Sequence, residues 1–205
     1  MNNNNSYKYL YLIVGKSGTG KSSLVSHFCS LHNTTELKSY TTRKRRTPTE
    51  DTHIFIDNKE YVKRFSGLEA SQVAAFCEFD GNFYFSTKKQ LNNNLFYVID
   101  VSGIKTLQTL SLKNFKKGIC VIEIKAPFFT RLKRMIYRDG LIKSVKRMIA
   151  EGKNFSGLEK IPRITLNSAD DFNQNFDNFE NIIFENEIGN YENNCLRKAQ
   201  IDYGK

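Results

Sequence analysis

Tyr9-Leu10-Tyr11-Leu12-Ile13-Val14-Gly15-Lys16-Ser17-Gly18-Thr19-Gly20-Lys21-Ser22 opens as an apolar run and stops abruptly at glycine. From Lys8 to Val14 it reads as a buried strand rich in Tyr, Leu, Ile and Val. Beyond the glycines, Leu24, Val25, Phe28 and Leu31 recur at helical spacing, so strand, loop and helix follow in that order. The loop satisfies the pattern G-x-x-x-x-G-K-[ST] at Gly15, Gly20, Lys21 and Ser22. Its glycines let successive backbone N–H groups turn inward as an anion nest at a helix N-terminus, where the helix dipole also favours phosphate. Lys16, Ser17, Gly18 and Thr19 complete the cradle; Lys21 is placed to reach the β- and γ-phosphates and the Ser22 hydroxyl to complete a Mg²⁺ shell. The motif predicts ATP with Mg²⁺ here. A glycine-rich turn merely opening a helix is the alternative, and the flanking strand and helix argue against it.

Working outward, Leu95 to Asp100 and Gly118 to Lys125 read as two more buried strands, each followed by a helical pattern, so the sheet is expected to be parallel with right-handed crossovers. The stretch from Ser39 to Lys89 differs: basic residues lead into alternating runs such as His53-Ile54-Phe55-Ile56 and Phe79 to Ser86, which predicts an inserted β-rich subdomain. Arg131 to Lys153 is a basic helical stretch, Asn92-Asn93-Asn94 reads as a loop, and Asn167 to Asn181 is dense in Asn, Asp and Phe. At 205 residues the chain suits one core carrying an insert. Its 16 Phe and 10 Tyr supply ample material to bury. Cys29, Cys77, Cys120 and Cys195 form no C-x-x-C pair, so zinc is not expected, Cys29 and Cys120 read as small core residues, and a reducing cytoplasm fits. Neither a signal peptide nor a run of about 18 apolar residues is present, so no membrane span is expected.

The formal net charge of +10 admits a nucleic acid, a membrane surface or an anionic small substrate, and the positions of the charges must choose. In Ser39-Tyr40-Thr41-Thr42-Arg43-Lys44-Arg45-Arg46, hydroxyls and guanidiniums crowd together soon after the first helix. Arg43 and Arg46 have the geometry for bidentate bonds to a second phosphate; a solvated basic loop is the alternative. Arg131, Arg134 and Arg138 fall at i, i+3 and i+7 and share a helix face, with Lys146 and Arg147 following Asp139-Gly140. This grouping beside two expected phosphate sites accounts for the charge without a nucleic-acid groove. Neither a guanine-reading Asn/Thr-Lys-x-Asp motif of GTPases nor the length of an oligomeric motor is present, so a small-acceptor kinase leads.

The Ser39 to Arg46 segment resembles the Ser-x-Thr-Thr-Arg-x-x-Arg segment of guanylate kinases in order and spacing, and Gly81-Asn82-Phe83-Tyr84-Phe85-Ser86-Thr87 is similar to that family's Gly-Asn-x-Tyr-Gly-Ser/Thr stretch. The strand Phe96 to Asp100, followed by Gly103, is similar to the family strand closed by Asp-x-Gln-Gly. The resemblance spans roughly residues 12–147. It implies a doubly wound parallel P-loop core (7–38, 95–130 and 156–205), a monophosphate-binding insert (about 39–90) and a helical lid (about 131–155). It also implies that Ser39, Arg43, Arg46 and Tyr84 hold the acceptor phosphate, that Ser86 helps read the acceptor base, that Arg134, Arg138 and Arg147 close on ATP, and that Asn186 lies near the adenine; Asp100, at the carboxyl edge of a parallel sheet, is placed either to orient the acceptor base or to hold a Mg²⁺-bound water. The implied activity is phosphoryl transfer from ATP to GMP or dGMP. Another nucleoside monophosphate, a ribosyl phosphate, or a non-catalytic binding module of the same fold are the alternatives.

The chain departs from the family where the base is read. Arg46-Thr47-Pro48-Thr49-Glu50 replaces Arg-x-Gly-Glu, which makes Glu50 a displaced base-reading glutamate, and His53 stands for a tyrosine. Ala75 occupies the neighbourhood of a family glutamate, for which Glu78 is the substitute, and Phe85 replaces the glycine after Tyr84.

Overall fold

A computed structural model describes residues 4, 7–67, 72–79, 81–109, 115, 117–151, 155–168 and 171–189; Lys153 and Cys195 lie outside them. The core is a four-stranded sheet of β1 (Tyr9–Val14), β6 (Phe96–Val98), β7 (Gly118–Lys125) and β8 (Ile164–Asn167), in the order β6-β1-β7-β8. All of its pairs are parallel, with Tyr11 opposite both Phe96 and Cys120. Parallel strands covered on both faces need continuous apolar residues, and β1 and β7 are buried along almost their whole length.

Two apolar clusters line the two faces. On one, Leu10, Leu12, Tyr97 and Val121 pack with Val101, Ile104 and Leu107 of α4 (Val101–Thr109). On the other, Tyr11, Ile13, Phe96 and Ile122 pack with Leu24, Val25 and Phe28 of α1 (Lys21–His32) and Phe176, Phe179 and Ile183 of α7 (Phe172–Ile188). Phe28 meets Phe96 edge-on at 5.1 Å, and Phe96 lies 5.7 Å from Phe179, so the phenylalanines gather behind the phosphate loop. Cys120 joins this core fully buried and Cys29 lies half-buried at its edge, whereas Leu31, expected on the apolar face of α1, is exposed.

A second, mixed sheet has the order β3-β2-β5-β4, from β2 (Tyr40–Thr41), β3 (Ile54–Phe55), β4 (Val73–Phe79) and β5 (Asn82–Thr87). α2 (Asn58–Gly67) covers it, with Tyr61 stacked on Phe83 at 4.6 Å. The run Phe79 to Ser86 is therefore not one strand: β4 and β5 pair antiparallel and the chain turns back at Gly81. Asn92 and Asn93, expected in a loop, end α3 (Lys88–Asn93), because Thr87 and Gln90 form a capping box that starts a helix there. The basic stretch after β7 is two helices, α5 (Phe128–Asp139) and α6 (Leu141–Glu151), joined at Gly140. No helix among the described residues is long and apolar enough to cross a membrane.

Candidate functional site

The phosphate loop leaves β1 at the carboxyl edge of the parallel sheet, where crossover connections leave a crevice for ligands. Gly18 has φ +79°, and a Cβ there would lie 2.8 Å from the Arg131 carbonyl oxygen, so both conformation and space require glycine. At Gly20, also left-handed, a Cβ would meet the Arg134 guanidinium in ordinary contact at 3.8 Å. The Lys21 ammonium donates to the carbonyls of Gly15 (2.6 Å) and Lys16 (2.9 Å), and Thr19 Oγ1 donates to the same Lys16 carbonyl at 2.9 Å. Burial pulls Lys21 down to about 8, Glu151 opposes that pull, and Arg147, Arg131 and Arg138 add to it. Ser22 is exposed on the first turn of α1.

Helices α5 and α6 grip this loop from above. Arg131 Nε donates to the Ser17 carbonyl at 2.9 Å, and the Ser17 N–H donates to Glu151 Oε1 at 2.8 Å. Arg131 and Glu151 pair with each other at 2.7 Å, both buried. Arg134 reaches the Gly18 carbonyl at 3.3 Å and Ser168 Oγ at 3.5 Å. Arg138 pairs with Asp139 at 2.6 Å, and Arg147 lies 4.0 Å from the same carboxylate.

The second sheet brings up the other side. Ser39 is buried, with its Oγ 2.9 Å from His53 Nδ1. Burial, reinforced by Arg43, lowers the His53 imidazole to about 4, so it is neutral over the ordinary range. The Tyr84 hydroxyl meets the Arg43 guanidinium and feels the charge of Arg147. Burial lowers Arg46, and the charges of Arg147, Arg43 and Arg138 lower it further. Arg138 and Arg147 of α5 and α6 therefore act on Arg46 on one side and on Lys21 on the other. Arg43 Nε is buried with no hydrogen-bond acceptor among the described residues.

Three residues do other work than the sequence suggested. Glu50 is the hub of the loop between Arg43 and Thr52. It accepts from Arg43 at 2.7 and 3.2 Å, from the Arg46 N–H at 2.6 Å and from Thr52 Oγ1 at 3.0 Å. Arg45 also donates to its main-chain carbonyl. Burial would raise the Glu50 carboxyl, but these donors outweigh it and hold it at about 2. Its oxygens are spent on the loop rather than presented to a base. Glu78 pairs with Phe83 across the hairpin, whereas Tyr84 pairs with Cys77, so the pleat sends Glu78 to the α2 side, where its charge acts on Tyr61. Asn186 is fully buried in α7 and donates to the Tyr11 hydroxyl at 3.2 Å, leaving no surface for adenine.

Asp100 stands at the sheet edge but caps α4, accepting from the Gly103 N–H at 2.7 Å and Ser102 Oγ at 3.1 Å. Ser86 is buried with its hydroxyl beside that of Tyr97, and Cys77 lies against Asp100. Sequence reasoning missed Glu151. Glu151 and Asp139 are the acids in a basic stretch of 24 residues, 128–151, and both are paired with arginine; an isolated acid on a cationic helix was the available signal.

No family model matches the chain, and no curated protein matches it in sequence. Among solved structures, the guanylate kinase from Anaplasma phagocytophilum is similar at 20% identity and a TM-score of 0.56, over 88% of this chain and 87% of that one. A likeness at that identity is one of fold. The α/β fold, with its four-stranded parallel sheet, is accordingly one that this chain shares with that guanylate kinase structure.

Proposed function

We propose that this chain transfers the γ-phosphoryl group of ATP to a nucleoside monophosphate. The observation that carries the reading is that Arg138 and Arg147 of α5 and α6 act electrostatically both on Lys21 of the phosphate loop and on Arg46 beside Arg43 and Tyr84. Cations supplied from both sides suit two phosphate groups, one on each nucleotide, which a single-nucleotide binder does not need. The donor triphosphate lies along the nest, with Lys21 leaving its loop carbonyls for the β- and γ-oxygens. The cradle fits phosphate: at Gly20 it is faced by a guanidinium, and Ser22 offers a hard oxygen ligand beside it. Ser22 is the residue that would hold Mg²⁺, which would supply charge neutralisation for the phosphates there.

Arg43, Arg46, Tyr84 and Ser39 hold the acceptor phosphate. Arg134, Arg138 and Arg147 act as the lid. They stabilise charge spreading onto the equatorial oxygens of the transferring group and exclude water as they close. Positioning and electrostatics supply the catalysis, with no covalent intermediate.

GMP and dGMP are the first acceptors to test. A second reading, a different base, is favoured by the commitment of Glu50 to its own loop and the placement of Glu78 on the opposite face. ADP release from ATP and Mg²⁺ against all ribo- and deoxyribonucleoside monophosphates tests both, with Lys21→Ala as control. Lys21-dependent turnover on GMP or dGMP alone supports guanylate kinase activity, and turnover on another acceptor supports the second reading. Tight ATP binding without turnover on any acceptor leaves a binding module instead.

A further inference from the structure

The helical pair is clipped to the phosphate loop at Ser17. Ser17 gives its N–H to Glu151 (2.8 Å) and its carbonyl to Arg131 (2.9 Å), and those two side chains close the ring by pairing with each other at 2.7 Å. Arg131 lies in the first half of α5 and Glu151 at the end of α6, so the clip joins both ends of the helical pair at its base. The tip, at Asp139 and Gly140, carries Arg138 toward the acceptor side. The α5 backbone packs directly on the next loop residue, Gly18.

A buried Arg–Glu pair is a poor way to add stability, because apolar residues of similar size serve as well or better. What apolar residues cannot do is hold an N–H and a carbonyl of one peptide segment in place at the same time. Glu151 also favours the charged form of Lys21 against burial, so the same carboxylate acts on the loop's catalytic cation.

We propose that Arg131 and Glu151 are positioning residues for the phosphoryl donor: they hold Ser17, and with it the anion nest, in its binding conformation and lock the base of the lid to the loop it closes on. The identity of the donor rests on the kinase reading; the clip itself belongs to the ligand-free protein.

Amide hydrogen exchange of the ligand-free protein and binding of N-methylanthraniloyl-ATP with Mg²⁺, without acceptor, test the two parts separately. Glu151→Ala removes the acceptor of the Ser17 N–H, whereas Glu151→Gln keeps one. Arg131→Met combined with Glu151→Met removes the clip without leaving a buried charge unpaired, so this variant folds even where Glu151→Ala does not. The Ser17 amide is expected to be protected in the native protein and in Glu151→Gln, and to exchange at least about tenfold faster in Glu151→Ala and in the double variant. Affinity for the analogue is expected to fall about tenfold in those same two variants and to be largely kept in Glu151→Gln, a rescue that a merely structural role would not produce. Unchanged exchange at Ser17 in the double variant overturns the clip. Fast exchange with unchanged affinity overturns its role in positioning the donor. A native protein that protects Ser17 but does not bind the analogue overturns the kinase reading and the donor role together while leaving the clip standing.

Discussion

Bound triphosphate reverses the forces on Lys21. Burial holds its ammonium at about 8 in the ligand-free protein, and phosphate oxygens drawn against it favour the charged form again. ATP binding above that value therefore takes up a proton, while well below it the lysine is already charged and uptake vanishes. Calorimetric titrations in buffers of different ionisation enthalpy measure the uptake, and Lys21→Met is expected to abolish it. His53 predicts the opposite kind of pH dependence. Its folded value, about 4, lies below the ordinary 6.5, so the unfolded chain binds more protons in that window. Stability is full above the window and falls as pH drops through it, by up to about 3 kcal/mol. Denaturant midpoints on either side of the window measure the slope, which His53→Gln is expected to flatten. At this scale the loop residues were legible, because Gly15 to Ser22 act through local spacing. Glu50 was not, because its partners depend on how the loop from Arg43 to Thr52 folds back on itself. Asn186 misled because a residue's type and its lateness in the chain say nothing of which side of a sheet its helix covers.

Elements were readable in proportion to how much of their environment is local. β1 and β7 announce themselves as unbroken apolar runs because both faces are covered. β2 and β3 are two residues each and exist only through pairing with one another and with β5, so no pattern within them marks them as strands. α3 is short and asparagine-rich, and its capping box carries it: Thr87→Ala is expected to lower stability by about 1 kcal/mol, measured by urea unfolding. The Arg43 to Thr52 loop is held together by one carboxylate, and this gives it a separable effect. Glu50→Ala frees Arg43 from its bidentate partner and is expected to raise the acceptor KM about tenfold while ATP affinity stays the same. Steady-state kinetics with each substrate varied in turn distinguish this from a general loss of fold.

On the scale of the whole molecule, guanidiniums from separate parts of the chain are brought close enough to lower one another. Bringing like charges together is unfavourable until an anion lies between them, so ligand occupancy and closure are expected to reinforce each other. Arg147→Ala is expected to reduce turnover on the order of a thousandfold with a far smaller change in ATP affinity, because its charge is needed most as the phosphoryl group moves. The sheet order β6-β1-β7-β8 has a consequence of another kind. The strand made first is central, and both of its neighbours, β6 and β7, are made much later, with the mixed sheet and α4 emerging before β7. On the ribosome, β1 and the glycine loop that follows it must wait with their apolar residues uncovered until most of the chain has emerged. Until then those uncovered residues leave the growing chain open to aggregation.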